Sequence, residues 1–156
     1  MGDIMFFNAK YGVVNIAGKG MEYIRFGKGK RILVMLPGLG DSLRSLKGTQ
    51  IPMAMLYWIF AKDFTVYAFS RTEALPEGYT TRMMARDQAE AMEQLGIAKA
   101  DVFGVSMGGM IAQHLAIDFP EKVEKLVTSR LFNGTRYILN TFHINVQRNN
   151  ITIILR

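Results

Sequence analysis

Apolar residues follow two rhythms along this chain. Residues 123–128 read as a strand, and 31–36, 64–69 and 101–105 form short, nearly continuous apolar runs. Strands covered on both faces read this way, because neither side meets water. Between them the spacing is helical. Residues 45–61 predict a helix whose first half is disturbed by Gly48 and Pro52, and its uncharged apolar part, 51–61, is expected to be buried. Thr80 or Thr81 caps a second helix that runs to Leu95 and stops at Gly96. Its apolar stripe is Met84, Ala85, Ala89, Met92 and Leu95, while Arg82, Arg86, Glu90 and Glu93 take the wet side. A third helix is predicted over 107–119, ended by Pro120. Strands and helices alternating in this order predict an α/β fold of three layers, a mostly parallel sheet between helices, with right-handed crossovers. Residues 4–7, 13–16 and 21–26 read as earlier strands, and 71–79 as a loop. The connections between those early strands are too short for crossovers, so they are expected to pair antiparallel.

The alternation is lost after residue 128. Residues 129–156 hold five asparagines and no acid, and only 138–144 and 151–155 have strand-like composition. The chain therefore reads as one α/β domain over 1–128 and an atypical tail over 129–156, expected to be the less ordered part. A sheet that ends at 123–128 has an open apolar edge, and such an edge invites self-association.

Charge sharpens that division. The chain of 156 residues has a formal net charge of +6. Residues 126–156 supply Arg130, Arg136, Arg148 and Arg156 without one carboxylate. These arginines are scattered and do not alternate with aromatics, so no nucleic-acid partner is expected. With no cysteine, a disulfide scaffold, a thiol nucleophile and a zinc ribbon are all excluded. His114 and His143 are too few for a histidine-rich metal site. The N-terminus has an acid at Asp3 and no basic stretch, unlike a signal peptide. The run 51–61 is half the length needed to span a bilayer. A cytoplasmic protein with no membrane partner is the expectation.

Chemistry concentrates at Gly104-Val105-Ser106-Met107-Gly108, which fits G-x-S-x-G between a buried strand and a helix. A serine on such a turn is held in a strained conformation, with room on either side only for glycine. The hydroxyl then emerges at the carboxyl end of the sheet, where open α/β sheets bind ligands. The following helix directs its N-terminal N–H groups at developing negative charge. A second turn, Pro37-Gly38-Leu39-Gly40-Asp41-Ser42, follows the strand at 31–36. Acyl transfer needs two donors at the tetrahedral oxyanion. The backbone N–H groups of Leu39 and Met107 are the candidates, with Ser106 as nucleophile.

On these two turns, and on the run Met110-Ile111-Ala112-Gln113 into Phe119-Pro120-Glu121-Lys122-Val123, the chain resembles the N-terminal half of an α/β-hydrolase-fold protein over about residues 12–128. The resemblance implies serine-dependent hydrolysis of a small-molecule ester, amide or related bond, with no metal or other cofactor. Family members often have His-Gly where this chain has Pro37-Gly38, a departure that leaves the backbone donor intact. The family order is serine, acid, histidine. After Ser106 the only acids are Asp118, Glu121 and Glu124, all near the far end of the next helix. His114 lies two helical turns beyond the serine, and His143 is the one other histidine. The fold is thus expected to be incomplete at its C-terminus, with turnover weak or absent. The alternative is a catalytically silent domain that acts, if at all, by binding.

Overall fold

The computed structural model describes residues 8–38, 45–129, 142–147 and 150–155, the last two segments by backbone pairing alone. Strands are β1 (Lys10–Ile16), β2 (Lys19–Phe26), β3 (Arg31–Leu36), β4 (Phe64–Thr72), β5 (Ala100–Val105), β6 (Val123–Ser129), β7 (Phe142–Gln147) and β8 (Asn150–Leu155). Helices are α1 (Gln50–Leu56), α2 (Trp58–Ala61), α3 (Thr81–Gln94) and α4 (Met107–Asp118), and Pro120–Lys122 forms one 3-10 turn. The strands lie in the order β1-β2-β4-β3-β5-β6-β7-β8. The four central strands are parallel, through β3–β4, β3–β5 and β5–β6. Antiparallel ladders finish both margins, β1–β2 and β2–β4 on one side, β6–β7 and β7–β8 on the other.

Alternation along the central strands separates two cores. Val34 and Leu36 of β3 join Val102, Phe69 and Leu126 under α3 and α4, whose Ala85, Ala89, Met92, Ile111 and Leu115 close that face. Leu33 and Met35 point the other way, with Ile24, Phe26 and Val66, against Ala54 of α1 and Ala61 of α2. This is the three-layer arrangement that the strand and helix pattern predicts. Thr80 caps α3, its hydroxyl accepting from Met83 N–H at 3.3 Å, and Gly96 ends it with φ +69°. Only glycine takes that backbone freely.

Four expectations change. The helix predicted over 45–61 is two short pieces, because Gly48 adopts φ +83° ahead of α1 and Tyr57 leaves helical geometry between α1 and α2. Those pieces are not buried on all sides. Their outer face is exposed, since a single helical layer offers the sheet only one side. The edge expected at 123–128 is covered: Lys125 and Leu126 pair with Asn145 and Ile144, so β8 is the outermost strand. β4 also runs three residues past its predicted end, to Thr72. The segments 4–7 and 138–141 of the predicted strands lie outside the described residues.

Candidate active site

Ser106 stands at the junction of β5 and α4 with φ +52° and ψ −118°. A side chain beyond Cα is rarely tolerated there, and such strain persists only where the surroundings enforce it. The enforcing contacts are visible. Ser106 N–H donates to Ser129 O at 2.8 Å, tying the turn to the end of β6. Ser106 O accepts from Gly109 N–H at 2.9 Å, starting α4. The side chain itself makes no capping bond to its helix, and the residue is exposed.

Each glycine of the motif has a steric reason. A Cβ on Gly104 would come within 2.5 Å of Gly108 O. One on Gly108 would strike the Leu36 carbonyl, 2.6 Å from its carbon. A Cβ on Gly109 would meet Thr128 at 3.4 Å, ordinary contact, so this third glycine is less constrained. Strand, turn and helix thus nest against the end of β3 with no room for side chains between them.

That nesting brings the two predicted turns together. Leu36 of β3 is in register with Gly104 of β5, so Pro37 and Gly38 leave the sheet beside Val105 and Ser106. Met107 is the first residue of α4. An N–H at that position has no partner within its own helix and is available to an anion. Leu39, the other predicted donor, lies outside the described residues, as does the rest of its turn through Arg44.

The acids and histidines sort by place. Asp118 receives two bonds of 2.8 Å from Arg82, joining α4 to α3. The bond from that guanidinium holds its carboxyl below the ordinary value, outweighing the upward push of desolvation. Glu124 pairs with Lys99 at 2.6 Å, which lowers it likewise. His114 is half-buried on α4, where its field acts on Asp118. The backbone of His143 lies in β7 opposite Ile154; its side chain is outside the described residues. Among the described residues, no histidine or carboxylate is hydrogen-bonded to the Ser106 hydroxyl.

Two polar clusters near the sheet's carboxyl edge escaped the sequence reading. On β2, Glu22 accepts from Tyr11 OH at 2.8 Å, Ser45 Oγ at 2.9 Å and Leu46 N–H at 2.5 Å. It fastens the chain where it re-enters after the glycine turn. Burial alone would raise this carboxyl, but the bonds from Leu46, Ser45 and Tyr11 together bring it below its ordinary value. On α3, buried Asp87 accepts from Tyr79 OH at 2.8 Å and from Thr72 Oγ1 at 3.3 Å. Burial, then the bond to Asp87, pushes Tyr79 up to about 12. A void of about 20 Å³ beside these groups is lined by Pro37, Arg71, Thr72, Asp87, Gln88 and Ile111. It has room for one water, not for a substrate. The signal for Asp87 was present: an acid three residues from Met84 and four from Ala91, on the apolar side of α3.

The family model for the alpha/beta hydrolase fold matches residues 31–146. The chain belongs to the α/β-hydrolase-fold family. Over 115 residues it is 32% identical to a dihydrolipoyllysine-residue acetyltransferase component of an acetoin cleaving system from Cupriavidus necator. That match covers 74% of this chain and 30% of the relative. Over 104 residues it is 36% identical to a Mycobacterium tuberculosis protein that carries a non-heme bromoperoxidase name, BpoC, covering 67% of this chain and 38% of the other. Among solved structures, the epoxide hydrolase CorEH superposes with a TM-score of 0.63 at 26% identity, over 83% of this chain and 47% of that one. The chain therefore spans 30% to 38% of the length of these two curated relatives. The family's relatives include hydrolytic enzymes, and the matched residues 31–146 contain the elbow.

Proposed function

We propose that this chain carries the nucleophile and the two backbone oxyanion donors of a serine hydrolase acting on a small-molecule carboxylic ester, amide or related bond. The observation that supports the reading most is Ser106 itself: exposed, uncapped, and strained at φ +52° at the head of a helix. Its hydroxyl would attack the acyl carbon, and the leaving group departs as the tetrahedral intermediate collapses to an acyl-enzyme. Water then releases the acid and restores the hydroxyl. Met107 N–H, with Leu39 N–H from the neighbouring turn, would hold the oxyanion at each tetrahedral stage. No metal or redox cofactor enters the scheme.

A serine hydroxyl needs a base to take its proton. His143 is the one histidine of the chain in line for that role by order, and no acid follows Glu124 to orient it. Turnover of an activated aryl ester by the 156-residue chain is therefore expected to be feeble. An oxyanion site without a working triad retains roughly 10³–10⁴-fold over water. The test is aryl-ester turnover, with fluorophosphonate labelling, of wild type, Ser106→Ala and His143→Ala. Slow labelling lost only in Ser106→Ala supports the reading. Labelling unaffected by Ser106→Ala sinks it. Robust turnover abolished by both substitutions would instead make Ser106 and His143 a working pair.

A further inference from the structure

Among the described residues, the outer face of α1 and α2 is an exposed apolar surface that neither the fold nor the elbow accounts for. Met55, Leu56, Trp58 and Ile59 are 60–68% exposed, and Ile51 is 42% exposed. Ile51 and Met55 lie four residues apart on one side of α1, and Trp58 and Ile59 are exposed on α2, which follows directly after Tyr57. The opposite side, Ala54 and Ala61, is already buried against the sheet. A helix apolar on both sides belongs between two apolar layers, and only one is present among the described residues.

Charge around this face says what the second layer is. Lys47 is exposed before α1, and Lys62 after α2. Lys28 and Lys30 are exposed on the turn that packs on the end of α2, where Lys28 N–H donates to Ala61 O at 3.2 Å. Against these four lysines stand two carboxylates, Asp63 and Glu22, the latter within electrostatic reach of Lys47, so the rim keeps an excess of positive charge. A second copy of this chain docking face to face would bring lysines onto lysines. The face is also the convex outside of the helices, with no groove for a peptide. An apolar helical face with a tryptophan, rimmed by lysines, is the pattern of a helix lying in a membrane interface.

We propose that the α1–α2 face binds an anionic phospholipid surface, lying in the interface with Met55, Leu56, Trp58 and Ile59 inserted and the lysines on headgroups. Lying on a membrane differs from crossing it. No helix among the described residues is long and apolar enough to cross one. The expectation of no membrane partner rested on spanning length, which this mode does not need. The proposal does not rest on the reading of Ser106.

Trp58 is the only tryptophan of the chain, so its fluorescence reports this face alone. Vesicles of phosphatidylcholine mixed with phosphatidylglycerol are expected to shift its emission to the blue. Salt should reverse the shift, and vesicles of phosphatidylcholine alone should bind at least roughly tenfold more weakly. Replacing two lysines together, Lys47→Gln with Lys62→Gln, should weaken binding by about thirtyfold. Leu56→Ser with Ile59→Ser, surface changes checked for folding by circular dichroism, should abolish the shift. Ser106→Ala should bind like wild type, which separates this surface from the elbow. The proposal is overturned by an emission unmoved by anionic vesicles, or by equal binding to both vesicle types. A blue shift that grows with protein concentration in the absence of lipid also overturns it, in favour of a second copy.

Discussion

The two faces of the sheet are covered by helices of opposite design. On one, α3 and α4 follow the rule for a surface helix. Ala85, Ala89 and Met92 go inward while Arg82, Arg86, Glu90 and Glu93 stay wet, and Arg82 bridges to Asp118 on the neighbouring helix. On the other, α1 and α2 bury Ala54 and Ala61 and turn Met55, Leu56, Trp58 and Ile59 outward. Apolar content is high in both regions; α3 and α4 leave Met83, Met110 and Ile117 exposed among polar neighbours, whereas α1 and α2 turn out an apolar face with no charge in it. The lesson is that hydrophobicity fixes where a helix docks only when the polar residues mark the other side. In 81–94 they do. In 51–61 no charge marks a wet face, so the segment is equally compatible with a buried helix and with a face that awaits a second layer.

Stability measurements break this comparison most sharply. Leu115 and Met92 are fully buried beneath α4 and α3. Leu115→Ala or Met92→Ala is expected to lower the unfolding free energy by about 2–5 kcal/mol in urea titrations. Leu56→Ala, at a residue 68% exposed, is expected to change it by no more than about 0.5 kcal/mol. If both classes cost the same, the α1–α2 face is packed in solution and the contrast is gone.

A test of similar size joins the elbow to the fold. Gly108→Ala places a methyl group against the Leu36 carbonyl at the heart of the sheet. Backbone cannot yield as a flexible side chain can, so this substitution should destabilise by at least about 1–3 kcal/mol, as overpacking does. Gly109→Ala meets only ordinary contact with Thr128 and should be mild. Thermal melts of the two variants rank them; a milder Gly108→Ala would contradict the nesting described above.

How far the sequence carried these features follows from the same physics. The parallel centre of the sheet was legible because 31–36 and 101–105 are largely apolar on both faces, a pattern few other structures need. The elbow was legible because its geometry is local: Gly104, Ser106 and Gly108 encode it within five residues. What depends on distant partners was not. Nothing in the spacing of Glu22 announces that it will hold Ser45 and Leu46, and nothing in Tyr79 announces Asp87. The covering of β6 by β7 was equally hidden, since antiparallel pairing across residues 130–141 leaves no periodic mark in the chain.

Acid sharpens the contrast at a smaller scale, because each face has a pinned carboxylate that the fold depresses. Glu22 secures the approach to α1, and Asp118 links α4 to α3. Both carboxyls are depressed when folded. Each contribution is therefore complete above the ordinary carboxylate value and is lost as pH falls through the folded one. Glu22→Gln and Asp118→Asn should each flatten part of the decline in stability below about pH 4. Asp118 forms an exposed pair, so its share should also shrink with salt, and that of Glu22 less so. Salt-dependent melts at acid pH would test this; equal salt sensitivity of the two variants would show that Glu22 is as solvated as the pair on the opposite face.

The smallest effect lies at the alkaline end, and on the α3 face alone. Tyr79, beside Asp87, is pushed up to about 12, chiefly by burial and then by its bond to that carboxylate. A phenol raised in the folded state contributes stability in full below its unfolded value near 10. That contribution fades as pH rises from about 10 through 12, because the unfolded chain releases the proton first. Of Tyr79 and Tyr11, the two phenols that the fold raises, Tyr79 should be the later to ionise in an ultraviolet titration of the folded protein. Tyr79→Phe should remove that late step while leaving the earlier ones in place. Thr72 would then remain as the hydroxyl donor to Asp87, at 3.3 Å. Loss of the shorter bond, at 2.8 Å, is expected to cost about 1–3 kcal/mol at neutral pH and less as the solution is made alkaline. A late step that persists in Tyr79→Phe would assign it to another phenol and leave Asp87 without the partner that the α3 face gives it.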